Sequence, residues 1–475
     1  MSLRRLLDSP RARRGIAASA IVLSLGGLVL VRTPSGATAA PLTDVSYLNG
    51  TTFSGPGASG SLSLSHVKFL AHGRQPIYAE LRLRADDQGA NEEERAPLAL
   101  AVVIDTSGSM EGDKIEEARR SVLRLIDGMR DDDEIALIRY DSHPELIQGM
   151  ARVGEVRRSL RQRVLELQSS GGTNIPAALS EGMDALRDAS AGRVRRLVLV
   201  SDGLDSTRQQ SEALARSGTD RGVTVSALGI GLDFDEGYMA AIARAGRGNF
   251  GFVEDASSLA KFLERELSET ATTKVERARA RFRLPKGLRF VRAVGADARH
   301  LGDGEVELRV GSLYAGDERR VVVELAADAE IGESLAIATE VSWDAVGGDS
   351  ARLDLSELSV VATDDAQAVA QSRDGRVFAS SASALASLNQ LEAAEAYKNG
   401  DVTRARQIIE DNVLALEEAA AAAPADAGDG LRKQAKGYAD SRDEFERTPP
   451  GSAEGRAASK RAAEKDTANL GRSIY

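Results

Sequence analysis

The sequence predicts an α/β domain with a doubly wound, mostly parallel sheet, inserted in or joined to a β-sandwich and followed by a C-terminal helical hairpin. Three observations predict this architecture. Near-continuous apolar runs alternate with helical segments between residues 97 and 268, as in strands that are buried on both faces. Short strands with alternating polar and apolar residues occur on both sides of this region. Leucines at helical spacing return from Leu385 onwards.

The composition limits the class of protein. A chain of 475 residues is too long for one hydrophobic core, and with 42% apolar but only 4% aromatic residues its cores must consist mainly of Val, Leu, Ile and Ala. The formal net charge of −11 argues against nucleic acid or anionic lipid as the main partner. Because the chain has no cysteine, disulfides, thiol chemistry and zinc–thiolate sites are excluded.

Residues 1–39 have the features of an export signal. Several arginines precede the apolar run from Gly15 to Val31, and small residues at Ala37 and Ala39 provide a cleavage site. The alternative is a retained membrane anchor, although this run is at the short limit for a helix that crosses about 30 Å of hydrocarbon. We expect cleavage after Ala39 and export across the inner membrane. The mature protein would then be periplasmic, associated with the cell envelope or secreted, and membrane-anchored only if the segment is retained.

The α/β domain is expected to interrupt the β-sandwich in the sequence. Residues 44–96 contain half-exposed strands, such as "SLSLSHVKFL", which are too few to bury a face alone and are expected to join the sandwich. The α/β domain of residues 97–268 would then be an insertion. Its helices are expected around residues 113–129, 175–188, 207–218 and 236–246, and "ELIQGM" is expected to form an antiparallel edge strand.

The remaining regions follow the α/β domain in order. Residues 272–363 contain six short strands separated by Gly, Asp and Pro turns, which is typical of a β-sandwich. Trp343 is expected in its core. An αα-hairpin is expected over residues 371–418, followed by a linker and flexible tail over residues 419–475.

Oxygen-bearing side chains follow two of the predicted strand ends and lie on a Gly-rich turn just before a predicted helix. The run "LALAVVI" ends at Asp105, with Ser107 and Ser109 directly behind it, "SSGGTNIP" contains Thr173, and "VLVSDG" contains Asp202. Because the carboxyl ends of parallel strands share one edge of the sheet, we expect these five side chains to meet there. Gly171, Gly172 and Gly203 would let their loops approach closely.

Two carboxylates and three hydroxyls, without nitrogen or sulfur, suit a hard divalent cation such as Mg²⁺, with Mn²⁺ and Ca²⁺ as alternatives. Since the shell carries few formal charges, a carboxylate from a partner protein would complete it. A partner that presents Asp or Glu is therefore expected. Without the ion, Asp105 and Asp202 are expected to repel each other, so that neutralising one would not destabilise the metal-free protein.

"DTSGSM", "GGTN" and "SDG", in this order, resemble the metal-ion-dependent adhesion site of von Willebrand factor A domains. The resemblance spans residues 97 to 267 and implies direct coordination by Ser107 and Ser109. It further implies that Thr173 binds directly or through water, and that Asp105 and Asp202 often act through water. The flanking regions resemble those of bacterial family members and, more distantly, inter-α-trypsin inhibitor heavy chains. Because the paired acids of a second regulatory site are incomplete after this loop, one ion is expected.

Other classes of site fit the sequence less well. Capping of the following helix could explain Asp105, Ser107 and Ser109 but not the other two clusters. Phosphate-loop and Gly-x-Ser-x-Gly motifs are absent from the sequence. The sequence therefore predicts a non-enzymatic, metal-dependent protein-binding module. The alternative is a metal-dependent hydrolase that uses the same ion to activate water.

Overall fold

The computed structural model describes residues 49–73, 75–87, 97–202, 207–230, 234–253 and 272–471, together with residues 262, 265, 266, 268 and 269. The predicted export signal, Gly203 and most of residues 254–271 lie outside the described residues.

Strands occur before, within and after the α/β domain. They are β1 (Gly50–Gly55), β2 (Ala58–Leu64), β3 (Lys68–Leu70), β4 (Ile77–Ala85), β5 (Leu98–Asp105), β6 (Glu134–Tyr140), β7 (Pro144–Arg152), β8 (Val194–Ser201), β9 (Val223–Ile230), β10 (Arg247–Val253), β11 (Thr273–Arg283), β12 (Leu288–Val294), β13 (Asp297–Gly302), β14 (Glu305–Tyr314), β15 (Glu318–Ala327), β16 (Ser334–Ala345), β17 (Ser350–Asp354) and β18 (Leu358–Thr363).

The α-helices alternate with strands in the α/β domain and then form the C-terminal part of the chain. They are α1 (Asp113–Gly128), α2 (Val153–Leu165), α3 (Ile175–Ala185), α4 (Arg208–Asp220), α5 (Glu236–Ala245), α6 (Ala366–Gln371), α7 (Gly375–Lys398), α8 (Val402–Ala422), α9 (Ala425–Arg447) and α10 (Ala453–Gly471).

The α/β domain has the predicted doubly wound sheet. Its strand order is β10-β9-β8-β5-β6-β7, and every neighbouring pair is parallel except β6 and β7. Strand β7 contains "ELIQGM", so the antiparallel edge is confirmed. Apolar residues of α1 and α2 pack on one face of the sheet and those of α3, α4 and α5 on the other. Helix α2 was not predicted, because its exposed face is rich in Arg and only Val153, Leu160 and Val164 are buried.

The sandwich is assembled from both sides of the α/β domain, as predicted. One sheet has the order β1-β2-β4-β15-β12, so that strands before and after the insertion pair with each other. The second has the order β13-β14-β11-β16-β18-β3, with β17 paired to β16. Trp343 lies in the core between them, and its indole nitrogen donates to the Pro56 carbonyl at 2.7 Å. The region after residue 272 contains more strands than the six predicted, because β13 was missed and "LDLSELSVVA" forms two strands.

The C-terminal region differs from the prediction. A linker and flexible tail were expected over residues 419–475, but helices α9 and α10 lie there and pack on the predicted hairpin, α7 and α8. Pro424 precedes the first residue of α9, where a missing backbone N–H costs no helical hydrogen bond. Leu431, Ala435 and Tyr438 recur at helical spacing and are buried. Small alanines supply much of this core, which is why its hydrophobic pattern is weak in the sequence.

Helix α10 connects the helical region to the α/β domain. The Lys460 ammonium is only 2% exposed and donates to the Phe234 carbonyl at 2.7 Å and to Glu236 Oε2 at 2.9 Å. It also lies 3.8 Å from the centroid of the Phe234 ring. From α7, Lys398 donates to Asp235 Oδ1 at 3.0 Å. Because residues 234–236 follow the carboxyl end of β9, the helices are attached to the same edge of the sheet on which the site was predicted.

Within the part of the chain that the structure describes, each helix is either too short or too polar to span a membrane.

Candidate metal centre

Asp105 is the last residue of β5 and is fully buried. Its Oδ1 accepts a hydrogen bond from the Ser107 backbone N–H at 2.8 Å, and its Oδ2 accepts from the hydroxyls of Ser201 at 2.6 Å and Tyr140 at 3.2 Å. Burial raises the pKa of Asp105 above its usual range, the Ser201 and Ser107 hydrogen bonds oppose this, and the nearby Asp202 carboxylate raises it further. The three hydrogen bonds fix the Asp105 carboxyl group in one orientation.

The two serines of the loop after β5 lie side by side. Ser107 is buried and Ser109 is exposed, and their Oγ atoms are 3.0 Å apart. Residues 108–110 form one turn of 3-10 helix, which the buried Met110 side chain anchors to the core. The loop thus presents two adjacent hydroxyl oxygens at the carboxyl edge of the sheet, one of them open to solvent.

Thr173 lies on the second predicted loop, which contacts the first through backbone atoms. The Gly108 N–H donates to the Gly171 carbonyl at 3.0 Å, and the Ser170 N–H donates to the Thr106 carbonyl at 2.6 Å. Gly171 has φ +75°, and a Cβ there would lie 3.1 Å from Asp141 Cγ, so the close approach requires glycine. Within the described residues, the half-buried Thr173 side chain makes no hydrogen bond to the other candidate ligands. Its assignment therefore rests on the position of its loop.

Asp202 directly follows β8 and is 0% exposed. Its Oδ2 accepts a hydrogen bond from the Lys114 ammonium at 3.0 Å, and Lys114 itself is only 22% exposed. Its Oδ1 is buried and has no hydrogen-bond partner among the described residues. An orphaned carboxylate oxygen is costly to bury, so this atom is available to a cation.

The structure therefore brings Asp105, Ser107, Ser109 and Asp202 to one edge of the sheet, with the Thr173 loop in contact. The donor set fits a hard cation, because the available atoms are carboxylate and hydroxyl oxygens and one buried carboxylate oxygen lacks a partner. The Asp202 carboxylate raises the pKa of Asp105, as the expected repulsion requires, but the Lys114 ammonium pairs with Asp202 in the same structure. The expectation that neutralising Asp202 would not destabilise the metal-free protein therefore needs correction.

Three residues around these ligands were not predicted from the sequence: Tyr140, Ser201 and Lys114. Strand pairing gave a signal for the first two, because Tyr140 is the register partner of Asp105 on β6 and Ser201 ends β8 next to it. Lys114 gave a weaker signal, since a lysine at the start of a helix is usually solvated. Its position follows from the turn at Gly112, which has φ +79°.

Part of the chain matches a known protein family. The family model of the von Willebrand factor type A domain matches residues 99–265. This region is a von Willebrand factor type A domain. Such domains commonly serve as metal-dependent protein-interaction modules, typically bind a divalent ion at the adhesion site, and occur in proteins that are generally not enzymes.

The chain around the von Willebrand factor A domain also has relatives. A solved structure titled "von Willebrand factor type A from Catenulispora acidiphila" superposes with a TM-score of 0.67 at 17% identity, covering 92% of this chain and all of that one. The fold of the whole architecture is therefore shared.

Relatives in sequence include bacterial and mammalian proteins. An uncharacterized protein of Synechocystis, sll0103, is 26% identical over 261 residues, which are 52% of this chain and 62% of that protein. Inter-alpha-trypsin inhibitor heavy chain H2 of Mus musculus is 25% identical over 186 residues, which are 35% of this chain and 19% of that protein. This chain thus spans less than two thirds of either relative.

Proposed function

We propose that this chain is a metal-ion-dependent, adhesion-type protein-binding module of the bacterial cell envelope. Its ligands would be Asp105, Ser107, Ser109, Thr173 and Asp202, and its ion Mg²⁺, with Mn²⁺ or Ca²⁺ as substitutes. The observation that carries the proposal is the buried Asp202 Oδ1, which lacks a partner among the described residues and lies at the edge where the other oxygens converge.

The carboxylates and hydroxyls would act on the ion in different ways. Asp105 accepts hydrogen bonds from Ser107, Ser201 and Tyr140, so it would orient the loop and act on the ion through water. Ser107 and Ser109 supply hydroxyl oxygens, and Asp202 supplies the unpaired carboxylate oxygen. The bound ion would supply a positive charge that attracts a carboxylate.

The partner would present an Asp or Glu side chain. Ser109 is exposed whereas Ser107 and Asp202 are buried, so the approach to the site from solvent is over Ser109. With an overall net charge of −11, the protein would repel acidic surfaces at long range. Recognition of an acidic side chain therefore depends on the ion.

Export of the protein is part of the proposal. The basic and apolar N-terminal residues followed by Ala37 and Ala39 support delivery beyond the inner membrane, with membrane anchorage if the segment is retained.

Calorimetry with Mg²⁺ tests the metal site. Wild type should bind one ion with a Kd in the micromolar to millimolar range, by analogy with sites of few formal charges. Ser107→Ala should weaken binding strongly, whereas Ser159→Ala, which changes an exposed serine of α2, should not. Equal binding by wild type and Ser107→Ala would contradict the ligand assignment.

Capture of a partner tests the binding function. Envelope proteins retained by wild type in Mg²⁺ should be released by EDTA and should not be retained by Ser107→Ala. Turnover of a hydrolase substrate panel that requires Mg²⁺ and is lost in Ser107→Ala would instead favour the hydrolase alternative.

A further inference from the structure

The Lys114 ammonium lies against a proposed metal ligand. It is the second residue of α1, its Nζ is 3.0 Å from Asp202 Oδ2, and Asp202 is completely buried. We propose that Lys114 is a tethered counter-ion, which compensates Asp202 when the site is empty of metal and competes with the divalent ion for this carboxylate. The inference rests on the proposed function, since it concerns how the same site is regulated.

The buried negative charge of Asp202 needs a nearby positive charge. A fully buried carboxylate without a nearby positive charge or hydrogen bonds is strongly unfavourable. Among the described residues, the partner of the Asp202 carboxylate is Lys114, which donates to Oδ2. The ion pair therefore keeps the metal-free edge folded with Asp202 in place.

The Lys114 ammonium and a divalent ion would compete for the Asp202 carboxylate. Only one oxygen of Asp202 is paired with Lys114, and the other is unpartnered among the described residues. An ion bound at that second oxygen would share one carboxylate with the ammonium, and two positive charges at such short range repel each other. The presence of Lys114 should therefore lower the affinity for the divalent ion.

The Lys114 side chain can also move away from Asp202 when an ion binds. Its ammonium is a compact point charge on a flexible four-carbon stem, and Lys114 is already 22% exposed, so the charge can move towards solvent without rearranging α1. Metal uptake would then be an exchange of one cation for another at Asp202. The site would remain formed in both states, and the lysine would set the concentration at which the ion enters.

Neutralising Lys114 tests the exchange. Lys114→Met should bind Mg²⁺ roughly tenfold more tightly in calorimetry, because the repulsion is removed. In EDTA it should melt at a lower temperature than wild type, because Asp202 loses its counter-charge, and added Mg²⁺ should raise its midpoint by more than it raises that of wild type. Lys114→Arg, which keeps the charge, should stay close to wild type in both measurements.

The control is Lys433→Met, which removes one positive charge from an exposed position on α9 and should leave Mg²⁺ affinity unchanged. If Lys114→Met fails to fold, Lys114→Gln, which removes the charge but keeps a hydrogen-bond donor, should show the same gain in affinity. Equal or weaker Mg²⁺ binding by the folded neutral variants would overturn the competition and make Lys114 a positioning residue. If wild type and all variants bind no Mg²⁺, the proposed function fails, whereas an unchanged melting temperature in EDTA contradicts the counter-ion role alone.

Discussion

Asp466 on α10 should make the stability of the protein depend on pH. This carboxyl group is 3% exposed and accepts a hydrogen bond from the Tyr438 hydroxyl of α9 at 2.6 Å. Burial raises its pKa from 3.8 to about 6, although hydrogen bonds from Tyr438 and Ser387 act in the opposite direction. The folded protein therefore holds this proton more tightly than the unfolded chain does.

The sign and size of the effect follow from this pKa. Because the folded pKa lies above the unfolded one, the stabilisation by this group is fully present below about pH 4 and is lost as the pH rises through about 6. A shift of about two pKa units corresponds to about 3 kcal/mol of unfolding free energy. Asp466→Asn is neutral throughout, so it should be more stable than wild type by about 3 kcal/mol at pH 7.5 and about equal at pH 4.

Denaturant unfolding at pH 7.5 and pH 4, followed by ellipticity at 222 nm where the helices dominate, measures this difference. Asp440→Asn is the matched control, because Asp440 is an exposed aspartate on α9 and its replacement should change stability little at either pH. The reasoning is refuted if Asp466→Asn gains no stability at pH 7.5, or if its gain is as large at pH 4 as at pH 7.5.

Three further predictions concern the metal site, the helical attachment and export. Asp202→Ala should have a lower melting temperature than wild type in EDTA, because Lys114 loses its partner. It should also lose the increase in melting temperature that Mg²⁺ gives wild type, and an undiminished increase would place the ion elsewhere. Lys460→Met should lower the unfolding free energy by about 2 kcal/mol in denaturant melts, because, among the described residues, the buried Glu236 carboxylate then keeps as a cation only the more distant Lys398 ammonium at 3.4 Å. An unchanged midpoint would contradict this attachment. Mass spectrometry of the envelope fraction should find a mature N-terminus at Ala40, and intact Met1 in the cytosol would argue against export.

Much of the metal edge could be predicted because strand ends are visible in the sequence. Asp105 and Asp202 each follow a buried apolar strand, and the parallel sheet brings such ends together. Lys114 could not be predicted in this way, because its contact depends on a long flexible side chain and on the turn at Gly112. Local periodicity carries no information about contacts of that kind.

The fold was predictable where the hydrophobic period was strong. The strands of the α/β domain are continuous apolar runs, and the early strands were too few to be stable alone, which indicated that they join the sandwich. The last two helices were missed because their buried face contains alanines, a few aromatic residues and polar side chains such as Asp466 and Asn469, which form tertiary contacts instead of an apolar stripe.

The pairing of β4 with β15 has a consequence for the order in which the chain folds. Ile77–Ala85 leaves the ribosome with β2 as a neighbour, but its other partner, Glu318–Ala327, is made only after the whole α/β insertion. If the insertion folds first, the chain between these strands is drawn together and the entropy lost on closing that loop falls. Lys460 reaches Phe234 and Glu236 later still. The final helix should therefore pack last, onto domains that have already folded. Truncation near the C-terminus should lower the stability of the α/β domain as well as that of the helices.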